Sequence, residues 1–156
     1  MRFYLIAVRK RLPAWVDAGF HEYAKRLPAE CRLELIAIPP ARRRKSSVMA
    51  RLLQEEAKRI LAAIPTGAKV VALAETGEQW SCRELADHMH AWMRASPDVA
   101  LLVGGADGLD GALTESADYT WSLSRLTLPH ALVSIIVVEQ LYRAWTMLIK
   151  HPYHRA

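Results

Sequence analysis

Five short runs along the chain are dense in β-branched, aromatic and other apolar residues: RFYLIAV at 2–8, LELIAI at 33–38, KVVALA at 69–74, VALLV at 99–103 and YTWSL at 119–123. Most are bounded by turn formers, and together they predict strands. Between them apolar residues recur at helical spacing. A helix is predicted from Pro13 to about Leu27, with Trp15, Phe20, Tyr23, Ala24 and Leu27 on its apolar side and Pro28 ending it. A second runs to about Ile64 from a cap at Ser46 or Ser47. Ser81 and Glu84 have the spacing of a capping box and open a third helix reaching about Ala95. Residues 65–67 and 96–98 read as turns. After a short irregular or helical piece, a long helix opens at Thr127, Leu128 and Pro129 and reaches about Leu148. Strands alternating with helices predict a single α/β domain, 1–156, with a mostly parallel sheet flanked by helices. The last helix is apolar on nearly every side from Ala131 to Val138, so part of it is expected to lie against a partner subunit.

With 156 residues, 52% apolar and 24% charged, the chain can bury a core without staples, which excludes disorder, collagen and a disulfide-built mini-protein. Cys31 and Cys82 have no CxxC spacing, and the six histidines include no helical metal pair. No metal site is therefore expected, and the simple reading is a reduced, cytoplasmic protein. The longest apolar stretch ends at Glu139, short of the ~20 residues that span a bilayer. The first residues lack the apolar core of a signal peptide.

Charge is unevenly placed. The net charge is +5, but residues 1–60 carry 14 Lys and Arg against 6 Asp and Glu, while the rest carries 7 against 10. The tightest cluster is Arg42, Arg43, Arg44 and Lys45; with Arg9, Lys10 and Arg11 it predicts a phosphate footprint for a polyanion. A solvated loop before a helix explains the cluster of four equally well.

In open α/β sheets, ligands sit outside the carboxyl ends of the strands. Three strand ends carry suitable chemistry: 73–77, the glycine loop 104–108, and 123–128. The glycine loop matches neither the dinucleotide fingerprint nor the phosphate loop of nucleotide triphosphatases, which disfavours both ligands. No nucleophilic triad declares itself. The tail places a phenol, an imidazole and a guanidinium side by side at Tyr153, His154 and Arg155.

Four segments carry a family resemblance: Leu102-Val103-Gly104-Gly105-x-Asp107-Gly108-Leu109, then the block from Ser122 to His130, then Glu139-Gln140-Leu141-Tyr142-Arg143-Ala144, then Pro152-Tyr153-His154-Arg155. In that order they resemble the SPOUT-class methyltransferases that modify N3 of a pseudouridine in large-subunit (23S) ribosomal RNA. The similarity spans essentially the whole chain. It implies a SPOUT fold with a deep trefoil knot near the C-terminus, S-adenosylmethionine as methyl donor, and a homodimer with sites at the subunit interface. It puts the cofactor contacts on Leu73, Gly104, Leu123, Ser124, Arg125, Leu126, Thr127 and Leu128. The N3–H of a pseudouridine is a weak acid, so a group must take its proton or stabilise the anion. Candidates are His130, Arg143, Tyr153, His154 and Arg155. Arg143 and Arg155 suit charge stabilisation or RNA phosphate, and His154 or His130 suits proton handling. His130 could equally be a helix-end residue bonded to backbone, and Arg143 a partner of Glu139 at i, i+4. The chain departs from the family pattern at Ala74, Ala106, Ser134 and Lys150, where Asp, Pro, Arg and Gly are usual. Two alternatives stand beside the main reading: a catalytically weak relative that binds RNA or ribosomes, and a SPOUT enzyme acting on another RNA.

Overall fold

A computed structural model describes residues 1–95 and 98–155, so Ser96 and Pro97 of the predicted turn lie outside the described residues. Strands and helices alternate as β1 (Arg2–Val8), α1 (Ala14–Ala24), β2 (Leu33–Ile38), α2 (Met49–Ala63), β3 (Lys69–Gln79), α3 (Cys82–Ala95), β4 (Asp98–Val103), α4 (Gly111–Ser116), β5 (Tyr119–Ser122) and α5 (His130–Leu148). The strands pair in the order β2-β1-β4-β3-β5, and every pairing is parallel. A parallel sheet must be covered on both faces. Along β1, Phe3, Leu5 and Ala7 face a core shared with α1, α3 and α5, while Ile6 and Val8 face a second core with Ala57 and Ile60 of α2 and Leu113 of α4.

Several boundaries differ from the sequence reading. Helix α1 stops at Ala24, because the next amides tighten to i−3 bonds (Arg26 to Tyr23, Leu27 to Ala24) ahead of Pro28, which disfavours α geometry at Leu27. Neither Ser46 nor Ser47 caps α2. The Ser47 hydroxyl accepts the Arg44 N–H at 2.7 Å instead, and Val48 precedes the helix with no side-chain cap. Strand β3 continues past Ala74 to Gln79 through a break in register. The capping box forms as predicted: Ser81 N–H donates to Glu84 Oε2 at 2.6 Å, and Glu84 N–H donates to Ser81 Oγ at 3.2 Å. Those bonds hold the Glu84 carboxyl below its usual range.

By length and composition α5 could cross a membrane, but it packs between α1 and α3, burying Val137, Val138, Leu141, Tyr142 and Ala144. Its first half is less covered: Leu132 is exposed and Ile135 and Ile136 are half-buried. Ser134 is buried there with no partner for its hydroxyl among the described residues. Helix α5 ends in a two-bond turn, His151 N–H to Thr146 O at 2.8 Å and Lys150 N–H to Met147 O at 3.3 Å, which puts Lys150 at φ +58.

Candidate active site

The helices following β3 and β4 leave toward opposite faces of the sheet, α3 to one core and α4 to the other. Where neighbouring connections part in this way, a crevice opens at the carboxyl ends of the strands. A cleft of about 780 Å³ lies there, lined from 73–76, 103–109, 121–124 and 126–128 with parts of α4 and the start of α5. The three strand-end segments singled out in the sequence converge on it.

Each wall has a local cause. Trp121 of β5 pairs with Leu73 and again with Glu78, so the residues between leave the ladder and bulge, and Ala74, Glu75 and Thr76 line the cleft. The bulge needs Gly77, since a Cβ there would sit 2.7 Å from the Thr120 carbonyl carbon. The second wall is the glycine loop. Gly105 and Gly108 bridge across it, Gly108 takes φ +78, and a Cβ on Gly104 would lie 2.3 Å from the Gly108 carbonyl carbon. In the third wall the Ser122 hydroxyl donates to Ser124 O at 3.1 Å, and Leu126 N–H donates to Ser124 Oγ at 2.9 Å. Leu126 is 73% exposed while lining the cleft.

Of the residues expected to hold a cofactor, Leu73, Gly104, Leu123, Ser124, Leu126, Thr127 and Leu128 line this cleft. Arg125 is exposed and stands outside its lining. His130 lines the cleft from the first position of α5. Thr114, Glu115 and Trp121 also line it. No motif marked them, because α4 and β5 reach the cleft only through the fold.

Arg143, Tyr153, His154 and Arg155 do not line the cleft of their own chain. The tail is instead fastened to α5. Glu139 Oε1 accepts Arg143 Nε and Nη2 at 3.1 and 2.9 Å and the Tyr153 hydroxyl at 3.0 Å. The Tyr153 ring lies 4.6 Å from that of Tyr142 and under the Arg143 guanidinium at 5.2 Å. Burial and the bond to Glu139 push the Tyr153 phenol up to about 12, so at neutral pH it is an uncharged donor. Burial works against the Arg143 cation, but Glu139 outweighs it and raises its pKa. His154 is half-buried, and its Nδ1 is enclosed without a partner among the described residues. Glu139 was legible as the i−4 neighbour of Arg143 and as part of a resembling segment, but its bond to Tyr153 was not.

Lys10, Arg11, Arg42, Arg43, Arg44 and Lys45 are exposed. Arg9 is half-buried, with Nε and Nη2 enclosed and without a partner among the described residues, and burial lowers its pKa. Arg43 pairs with Asp107 of the glycine loop. Among the described residues no cluster of His, Cys, Asp and Glu could hold a metal ion.

A parallel α/β sheet with a bulged strand, a tight glycine loop and a loop into the last helix, all meeting at one cleft, defines the class. The chain belongs to the SPOUT methyltransferase family: residues 1–154 match the family described as "Predicted SPOUT methyltransferase". Over 156 residues it is 51% identical to the "Ribosomal RNA large subunit methyltransferase H" of Nitrosococcus oceani, covering 100% of this chain and 99% of that one. The protein of the same name from Thioalkalivibrio sulfidiphilus is 52% identical over 155 residues, 99% of each chain. Among solved structures, a methylase family protein from Haemophilus influenzae shares the fold at 14% identity and TM-score 0.57, over 99% of this chain and 70% of that one. One from Neisseria gonorrhoeae does so at 15% identity and TM-score 0.55, over 90% and 81%.

Proposed function

We propose that this methyltransferase transfers the methyl group of S-adenosylmethionine to N3 of a pseudouridine in large-subunit (23S) ribosomal RNA, in the cytoplasm. The observation that carries the reading is the convergence of three sequence-distant strand ends on one cleft, in a chain half identical to relatives named for that RNA. The cleft suits the cofactor. Its volume of about 780 Å³ is that of a small-molecule site, and its walls include exposed leucine and the bare backbone of Gly104, Gly105 and Gly108. Leu73, Gly104, Leu123, Ser124, Leu126, Thr127 and Leu128, which line the cleft, would hold the cofactor, whereas Arg125 stands outside that lining. When bound, S-adenosylmethionine supplies an electrophilic methyl group on a sulfonium.

Positioning carries most of such a transfer. The reading includes a C-terminal trefoil knot that shapes the cleft and a homodimer that completes it. Support for the dimer comes from the tail, which is held by its own α5 away from its own cleft, and from the uncovered first half of that helix. A partner's tail then stands over each cleft. There Arg143 and Arg155 stabilise the nucleobase anion or hold phosphate, and His154 or His130 takes the N3 proton. Tyr153 serves as a neutral donor that fixes the tail. Arg9, Lys10, Arg11, Arg42, Arg44 and Lys45 contact RNA phosphates.

Nucleoside mass spectrometry of large-subunit rRNA from cells with and without the gene tests the reading. Loss of one N3-methylpseudouridine is expected; an unchanged nucleoside profile overturns it. Calorimetry with S-adenosylhomocysteine separates an enzyme from a relative that binds only RNA.

A further inference from the structure

The four cations at 42–45 are not equivalent. Among the described residues Arg42, Arg44 and Lys45 form no ion pair, whereas Arg43 Nη2 is paired with Asp107 Oδ2. Asp107 lines the cleft from the tip of the glycine loop. That loop is pinched at its base by the Gly105–Gly108 bridge, and the only side chains it carries are those of Ala106 and Asp107. The segment bearing Arg43 is itself anchored on both sides. Arg59 Nη1 donates to Pro39 O at 2.7 Å, Ala41 N–H donates to Glu56 Oε2 at 2.9 Å, and Arg44 N–H donates to Ser47 Oγ at 2.7 Å. The loop anchored on helix α2 thus brings one cation of the four to the tip of the glycine loop.

We propose that Arg43 is a positioning residue of the cofactor cleft, its pair with Asp107 clasping the glycine-loop tip in its binding shape, and that it is set apart from the phosphate contacts beside it. The proposal rests on the reading of the cleft as the S-adenosylmethionine site. A half-exposed ion pair is weak, so its loss lowers the population of the binding-competent loop, and the apparent affinity with it, by about two- to fivefold.

The test is calorimetric titration of S-adenosylhomocysteine into the full chain and into Arg43→Ala, Arg43→Lys, Asp107→Asn and the Arg43→Ala/Asp107→Asn double variant, with thermal midpoints to show that each is folded. Arg43→Ala and Asp107→Asn should each raise Kd by about two- to fivefold, and Arg43→Lys should restore most of the affinity. In the Asp107→Asn background, removing Arg43 should add nothing. An unchanged Kd in Arg43→Ala, or an equal loss with and without Asp107, overturns the clasp. A wild-type chain that does not bind S-adenosylhomocysteine overturns the cofactor reading itself, so the two failures are distinguishable.

Discussion

The hydroxyl of Tyr153 donates to Glu139 Oε1 at 3.0 Å, on the same oxygen that receives two bonds from Arg143. One carboxylate on α5 therefore orients both the arginine and the tail that the proposed mechanism uses. Termini usually fray; this one is held.

Tyr153→Phe should cut methyl transfer at least about tenfold while lowering Tm by no more than about 2–4 °C, since Arg143 still satisfies Glu139 and one part-buried hydrogen bond contributes about 1 kcal/mol. Tyr153→Ala and His154→Ala should lower activity further with the fold intact. Full activity in both alanine variants would remove the tail from the mechanism. In an ultraviolet absorbance titration, one of the 5 tyrosines should ionise near 12 and vanish from the curve of Tyr153→Phe. The folded phenol's pKa lies above its unfolded value of about 10. The stability from this bond is thus complete below about pH 10 and is lost as pH climbs toward about 12.

Gly104→Ala should abolish cofactor binding. Its Cβ would meet main chain, not a flexible side chain, 2.3 Å from the Gly108 carbonyl carbon, so the loop must shift. Overpacking of this kind costs about 1–3 kcal/mol, and equilibrium unfolding should show it. Calorimetric affinity equal to wild type would refute the requirement for a bare glycine there.

Lys150→Gly should stabilise the protein. Lys150 sits at φ +58, closing the C-terminal turn of α5, where a side chain is strained and glycine is favoured. The gain should be about 1 kcal/mol, raising Tm by about 2–4 °C for a domain of this size. Scanning calorimetry measures it, and a lowered Tm would mean that the lysine makes a compensating contact.

RNA binding should weaken steeply with salt. Replacing Arg42 and Arg44 by alanine should flatten the log–log slope by about 0.7–0.9 per lost phosphate contact. Filter binding across a salt series reads this directly, and a complex indifferent to salt would contradict the phosphate footprint.

The sequence by itself determined the elements whose causes are local. The limits of β1 and β2 were read to the residue: the apolar run of residues 3–8 in β1 breaks off at the charged Arg9, Lys10 and Arg11, and the edge strand β2 is stopped by Pro39 and Pro40. The capping box of α3 was legible because its two partners stand three residues apart. The segments 73–77, 104–108 and 123–128 were identifiable as strand ends with ligand chemistry, and the resemblance of the blocks around them named the family. Tertiary structure alone decided what those pieces do together. The β3 bulge depends on Gly77 passing the backbone of β5, a strand more than forty residues on. Ser47 was drawn from the helix end to Arg44, Tyr153 was fastened to Glu139, and Arg43 was set on Asp107. Propensity and periodicity act within a few residues along the chain. A cleft, a clasp and an anchored tail are made by residues that meet only after the sheet has brought its strand ends side by side.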